Sequence, residues 1–118
     1  MDPSKWDFYT MDCYRHVGED RLAATYAEEV IRTGTTPDGV VRRPMRVAEA
    51  HITLGIVAAR QGELEAALAA GRTALALDRK SLPSLVMHSR ELVAELDRRF
   101  AGDQRVVEYV DLLRSLAN

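Results

Sequence analysis

The sequence predicts an all-α protein, and three observations lead to that prediction. Apolar residues recur every three to four positions along most of the 118-residue chain, as they do on one face of an α-helix. Glycine and proline separate these periodic runs, where they end one helix or begin the next. No segment alternates between apolar and polar residues for long enough to indicate a β-strand. We therefore predict six helices, at residues 3–17, 20–33, 44–60, 63–78, 82–100 and 103–117.

The composition is that of one soluble globular domain spanning residues 1–118. Hydrophobic residues make up 47% of the chain and charged residues 29%, and the net charge is -2. Such a balance provides no broad basic face for nucleic acid. No apolar run approaches the roughly 20 residues that would cross a bilayer. Because Cys13 is the single cysteine, no internal disulfide can form, and we predict a cytoplasmic protein without membrane contact.

Turn residues set the predicted helix boundaries. Gly34 is expected to end the second helix in the left-handed conformation, and a surface turn at 37–39 follows it. Pro44 suits the first turn of the next helix, where a missing backbone N–H costs nothing. The other boundaries are marked by Gly18, Gly62, Ser81, Pro83, Gly102 and Asp103, the last as a capping residue.

The helix predicted at 44–60 is apolar on nearly every side, whereas the others keep one polar face. In the second helix, for example, Glu28, Glu29 and Arg32 lie opposite the apolar stripe. A helix without a polar face has to be covered all round. We therefore expect the helix at 44–60 to be the central, buried one.

The chain also repeats itself. The turn glycines Gly18, Gly62 and Gly102 recur at an interval of about 40 residues, and each lies between two predicted helices. Two-helix units of this length bury their apolar faces only against their neighbours, which is typical of an α-solenoid. The predicted units are 3–33, 44–78 and 82–117.

The central unit resembles the tetratricopeptide repeat. The positions that match its pattern are Leu54, Gly55, Ala58, Gly62, Ala67 and Ala74. Small residues at these sites let two antiparallel helices approach closely. The chain departs from the pattern where His51 replaces the usual tryptophan and Gly71 replaces the large aromatic of the second helix, and no proline ends the repeat.

A second resemblance covers most of the chain. The runs at 7–14, 27–32 and 79–85 are similar to the C-terminal repeat region of actinobacterial Cro/repressor-type helix-turn-helix transcriptional regulators. That resemblance implies a sensing or assembly role in transcriptional regulation. The DNA-binding domain of that family is absent from residues 1–118, so we expect no direct nucleic-acid binding by this segment.

A concave groove is the first candidate binding site. In stacked hairpins of this kind the first helix of each pair lines the groove, and the end of that helix carries Arg15, Arg60 or Arg99. These guanidinium groups form a predicted column of cations suited to a peptide C-terminus or a small acidic ligand. Alternatively, the arginines only favour the helix dipole and stay solvated. The candidate groove residues are Asp12, Arg15, His16, Glu49, Ile52, Ile56, Arg60, Leu92, Leu96 and Arg99.

The aromatic residues near the start form the second candidate. Trp6, Phe8, Tyr9 and Tyr14 either pack as a cap on the first hairpin or present a docking face for another protein, including a second copy of the chain. A homodimer would follow from the second interpretation.

Enzymatic activity is not predicted, since the sequence has no phosphate-binding glycine loop, nucleophile elbow or zinc-binding helix motif. Cys13 with His16, and His88 with Glu91 and Glu95, share helix faces. We interpret both groups as structural, with His88, Glu91 and Glu95 solvated on an exposed helix, and we expect no metal or cofactor. Two functions therefore stay open. One is a peptide- or ligand-sensing module of a transcriptional regulator, and the other is a structural dimerisation or docking domain without a small effector.

Overall fold

The computed structural model describes residues 3–77 and 82–117, where the chain is helical and contains no strand. The all-α prediction is confirmed. Residue 78, the predicted end of the fourth helix, and Ser81, the predicted start of the fifth, lie outside the described residues. The helices of the described ranges are α1 (Pro3–His16), α2 (Asp20–Thr33), α3 (Pro44–Arg60), α4 (Leu64–Leu77), α5 (Leu82–His88), α6 (Arg90–Arg99) and α7 (Gln104–Ala117).

The helix predicted at 82–100 is divided at Ser89 into α5 and α6. The buried Ser89 hydroxyl donates a hydrogen bond of 2.8 Å to the Leu85 carbonyl, one turn earlier. Such a bond from serine back to the preceding turn bends helices. The backbone hydrogen bonds continue through the junction, from Ser89 N to Leu85 O and from Val93 N to Ser89 O, both at 2.9 Å. The prediction of one uninterrupted helix is therefore wrong.

The three turn glycines share one backbone conformation. Gly18, Gly62 and Gly102 each have φ +80, and a Cβ at any of them would meet no atom within 4 Å. Only the left-handed backbone, not crowding, therefore favours glycine there. The capping role predicted for Asp103 is also confirmed, because its Oδ1 accepts a hydrogen bond of 2.9 Å from the Arg105 backbone N–H.

Gly34 corrects a prediction. Its φ is -87, in the right-handed region, so it is not the expected left-handed cap. A Cβ at this position would lie 2.6 Å from Cγ2 of Val47 and 3.0 Å from the Val30 carbonyl oxygen. Glycine therefore serves here to let the end of α2 lie directly against α3.

The segment 34–43 closes on itself. Backbone hydrogen bonds join Thr36 N to Val40 O at 2.8 Å and Arg42 N to Gly34 O at 2.8 Å, and Thr35 and Val41 form an isolated antiparallel bridge. The turn predicted at 37–39 is confirmed as an exposed turn. Just after it, α3 begins at Pro44, as expected.

Helix α3 lies at the centre of the fold. Ten of its 17 residues are buried, and it contacts α1, α2, α4, α5 and α6. The prediction of a central buried helix is confirmed. Helices α1 and α2 pack as one pair and α3 and α4 as the next, while α7 packs mainly on α5 and touches α6 less.

Tyr109 fixes α7 to α4 through a glycine. A Cβ at Gly71 would lie 2.6 Å from the Tyr109 hydroxyl oxygen and 2.8 Å from its Cζ. Tyr109 is fully buried. The aromatic side chain that the central unit lacks at Gly71 is thus replaced by one from the last helix.

Candidate functional site

A cleft of about 370 Å³ opens between α1, α3 and the junction of α5 with α6. Its floor is apolar, because Ile52 and Ile56 lie one turn apart on α3 with relative exposures of 3% and 1%. Its walls are mostly polar, and Met87 adds an exposed apolar side chain. The lining residues are Asp12, Arg15, His16, Glu49, Ile52, Ile56, Met87, His88, Arg90 and Glu91.

The cleft brings together six of the predicted groove residues and leaves four outside. Leu92 and Leu96 are fully buried and belong to the main hydrophobic core. Arg60 and Arg99 belong to a separate charged cluster. The six that line the cleft are Asp12, Arg15, His16, Glu49, Ile52 and Ile56.

Sequence reasoning missed four lining residues, all at the junction of α5 and α6: Met87, His88, Arg90 and Glu91. We predicted residues 82–100 as one straight helix. We therefore assigned Leu92, Leu96 and Arg99 to the groove instead of the residues at the junction. The helix is divided at Ser89 within this junction, and residues on both sides of Ser89 line the cleft. The available signal was the pairing of His88 with Glu91 on one helix face, which we interpreted as solvated.

Arg15 is the most connected side chain of the cleft. Its Nη1 lies 2.7 Å from Oδ1 of Asp12 and donates a hydrogen bond of 2.8 Å to Oγ1 of Thr53. Its Nε lies 2.6 Å from Oε2 of Glu91. The guanidinium group thereby joins α1 to α3 and α6. Two carboxylates of the protein already neutralise its charge.

Glu49 and His88 form a second link, between α3 and α5. The distance from Nε2 of His88 to Oε1 of Glu49 is 2.8 Å, and the side chains are 50% and 14% exposed, respectively. Burial raises the pKa of Glu49 above its usual range, and the Asp12 carboxylate adds to the shift. The charges of His88 and Arg15 oppose it. Glu49 is thus a poorly hydrated carboxylate facing a histidine.

Glu95 is the centre of the charged cluster outside the cleft. It is 4% exposed, so our interpretation of this residue as solvated is wrong. Its carboxylate lies 3.1 Å from Nε of Arg99 and 3.4 Å from Nε of Arg60, and it also pairs with Arg98. Burial acts to raise the pKa of Glu95, but the hydrogen bond from Arg99 and the neighbouring arginine charges hold it below the usual range.

The three arginines of the predicted column are therefore all paired with carboxylates. Arg60 also places Nη1 2.6 Å from Oδ1 of Asp20, which ties α3 to the start of α2. Of the three, only Arg15 lines the cleft. Arg15 and Arg60 form ion pairs between different helices, whereas Arg99 pairs with Glu95 within α6.

The candidate docking residues divide into two pairs. Trp6 and Tyr9 are 60% and 51% exposed. Phe8 packs against the small core cluster between α1, α2 and α3, and Tyr14 stacks on Tyr26 with ring centroids 5.7 Å apart. Tyr9 also contacts Phe8 edge-on, with ring centroids 5.7 Å apart, so the exposed surface at this end of α1 consists of Trp6 and part of Tyr9.

Among the described residues, no three His, Cys, Asp or Glu side chains are grouped so that they could hold a metal ion, and Cys13 is exposed. The described helices also include none that is both long and apolar enough to span a membrane. In comparisons with known proteins, the chain matches no family model, no curated protein and no solved structure.

Proposed function

We propose that this chain is an interaction module with tetratricopeptide-like stacked hairpins that binds a peptide or a small ligand in the cleft. The helix pairing supports the stacked arrangement: α1 packs with α2, α3 packs with α4, and α3 contacts helices on both sides. The shared conformation of Gly18, Gly62 and Gly102 supports a repeated turn. In a stack of hairpins the first helix of each pair lies beside the first helix of the next pair. The contacts of α3 with α1 and with α6 support such an arrangement.

The cleft itself is the observation that carries the proposal. Its volume of about 370 Å³ lies within the range of ligand sites, and it combines an apolar floor with convergent polar groups. Helices from the start, middle and end of the chain build it. A ligand there would therefore contact all three units and stabilise their packing, which gives a sensing module a means of response.

The cleft favours a peptide over a small acidic ligand. An acidic ligand would require a guanidinium group inside the cleft. Arg15 is already shared between Asp12 and Glu91, and the other guanidinium group of the lining, that of Arg90, is exposed, so that water and salt screen its charge. A peptide can use the apolar floor as well as the polar wall. The role in a transcriptional regulator is supported by the sequence runs at 7–14, 27–32 and 79–85 alone.

A docking or dimerisation domain is the second candidate function. The exposure of Trp6 and Tyr9, three positions apart on α1, favours it. In that case binding would involve the aromatic end of α1, and the melting temperature would depend on protein concentration.

A peptide array tests the proposed function. The wild-type protein is screened on random hexapeptides beside Met87→Trp, which fills the cleft from an exposed position, and Val40→Trp, a matched control outside it. We expect Met87→Trp to lose binding and Val40→Trp to keep it. Binding that survives Met87→Trp and is lost in Trp6→Ala would support the docking function instead.

A further inference from the structure

The carboxylates of the cleft are unequally paired. Asp12 and Glu91 both contact Arg15, whereas the ion-pair partner that the described structure gives Glu49 is His88. Arginine is a permanent cation with five N–H donors, whereas a histidine offers a carboxylate a single ring nitrogen at a time. In the described structure Glu49, whose side chain is 14% exposed, is the cleft carboxylate that has no arginine within ion-pair distance.

The remaining cation of the lining, Arg90, does not pair with Glu49. Arg90 is exposed, and no ion pair joins it to a carboxylate of the described residues. Water and salt screen an exposed charge far more than a buried one. The attraction between a cation in the cleft and the largely buried Glu49 carboxylate would therefore exceed the repulsion between that cation and the exposed Arg90.

The position of Glu49 on α3 adds a second feature. Glu49, Ile52 and Ile56 lie on one face of the helix, at intervals of three and four residues. Their backbones span about 10 Å along the helix axis. The cleft therefore has a carboxylate at one end and an apolar strip beside it, and Met87 adds an exposed apolar side chain to the lining.

This arrangement matches one class of chemical group. Lysine and arginine side chains lay an aliphatic stem on apolar surface and direct a charged head to a polar partner. We infer that the cleft binds a cationic group on an aliphatic stem, with Glu49 accepting its hydrogen bonds and Ile52 and Ile56 contacting the stem. The inference rests on the proposed function, because it names the ligand class of the same cleft.

His88 has a defined part in this binding. It contacts Oε1 of Glu49 and is half-exposed, so it can turn into solvent when a ligand cation takes its place. Removing the imidazole should therefore strengthen cation binding severalfold, because no contact with Glu49 has to be broken first. The same group can belong to a basic peptide side chain or to a free amine.

The test uses capped pentapeptides of alanine with lysine, arginine, glutamate or norleucine at the centre, together with n-pentylamine. Each is titrated into the wild-type protein, Glu49→Gln, His88→Ala and the control Glu108→Gln, whose position is exposed on α7. Glutamine keeps the shape of Glu49 and removes its charge. Unchanged circular dichroism spectra and cooperative melting curves verify that the variants are folded.

We expect the lysine and arginine peptides to bind more tightly than the other two. Glu49→Gln should weaken them at least about tenfold, as expected when a charge-assisted hydrogen bond is lost, and Glu108→Gln should not. Binding of n-pentylamine as well would show that a free amine suffices, and its absence would assign the cation to a peptide.

Two other results would overturn the inference, and they differ in what they say about the cleft. If the glutamate or norleucine peptide binds best and Met87→Trp abolishes that binding, the cleft is a binding site but not for cations. If no probe binds in a way that Met87→Trp affects, the proposed function of the cleft fails as well.

Discussion

The two charged clusters of this protein use the same residue types for different ends. The cleft cluster consists of Asp12, Arg15, Glu49, His88 and Glu91, and the Glu95 cluster consists of Asp20, Arg60, Glu95, Arg98 and Arg99. In the Glu95 cluster three arginines surround one nearly buried carboxylate. In the cleft cluster one arginine serves two carboxylates and a third faces a histidine. In the Glu95 cluster the carboxylate is therefore surrounded by permanent cations, whereas in the cleft Glu49 has no arginine within ion-pair distance, and this is why we propose a ligand cation there.

Glu95→Ala should have the largest effect on stability. Removing the carboxylate leaves Arg60, which is 21% exposed, without one of its two carboxylate partners. Losing the charge-assisted hydrogen bonds that the buried Glu95 carboxylate accepts from its arginines costs about 3 kcal/mol. Urea denaturation should show a loss of that size, while the exposed Glu108→Ala should change the free energy of unfolding by less than about 0.5 kcal/mol. A loss below about 1 kcal/mol for Glu95→Ala would mean that the cluster does not hold the helices together.

The packing of α7 on α4 provides the next largest effect. Gly71→Ala would place a methyl group within 3 Å of the fully buried Tyr109 ring, and overpacking of this kind costs about 2 kcal/mol. Tyr109→Phe removes the atom nearest to that methyl group. The Tyr109 hydroxyl lies close to the Ser89 side chain without forming a hydrogen bond of good geometry, so Tyr109→Phe alone should cost about 1 kcal/mol or less.

The double variant of Gly71→Ala with Tyr109→Phe therefore should recover part of the loss, as urea denaturation of all three variants would show. Equal losses in Gly71→Ala and in the double variant would contradict the contact between Gly71 and the Tyr109 hydroxyl.

The pH dependence of stability should differ in sign between the two clusters. The pKa of Glu95 is lowered in the folded protein, so its contribution is present above the ordinary range of a glutamate, about pH 4.3, and is lost as the pH falls through the folded value. The pKa of Glu49 is raised, so the folded protein binds its proton more tightly and stability falls as the pH rises from about 4.3 through the folded value.

Urea denaturation at several pH values checks both signs. In Glu95→Gln the free energy of unfolding should decrease less as the pH is lowered into the acid range. In Glu49→Gln the decrease in the free energy of unfolding as the pH rises above about 4.3 should disappear. Equal slopes in the wild-type protein and both variants would contradict the assignment of opposite roles to these two carboxylates.

The sequence predicted the helix boundaries well because local chemistry sets them. Turn glycines such as Gly62, the proline Pro44 and the capping Asp103 act on neighbouring residues, and each is readable without knowing the fold. The same local reasoning failed at Gly34, because its requirement for glycine comes from Val47 on another helix.

The division of the last long helix at Ser89 could not be predicted from the sequence, again because it depends on tertiary packing. A serine in a helix bends the backbone when its hydroxyl returns to the preceding turn, and an exposed serine can instead hydrogen-bond to water. Burial of Ser89 depends on how the last unit packs. The residues that the helical period placed on the groove from α1 and on part of α3 line the cleft, whereas the wall formed by His88, Arg90 and Glu91 lies where the helix is divided at Ser89.

Methyl NMR tests most directly that the cleft is the binding site. The chain has three isoleucines: Ile52 and Ile56 form the cleft floor, and Ile31 lies outside it. Its single tryptophan, Trp6, reports on the aromatic end of α1. When the lysine-centred pentapeptide is titrated into the protein, the δ1-methyl signals of Ile52 and Ile56 should shift together and saturate. The Ile31 methyl and the Trp6 indole signals should stay in place. Shifts at Trp6 without any change at Ile52 and Ile56 would contradict a binding site in the cleft.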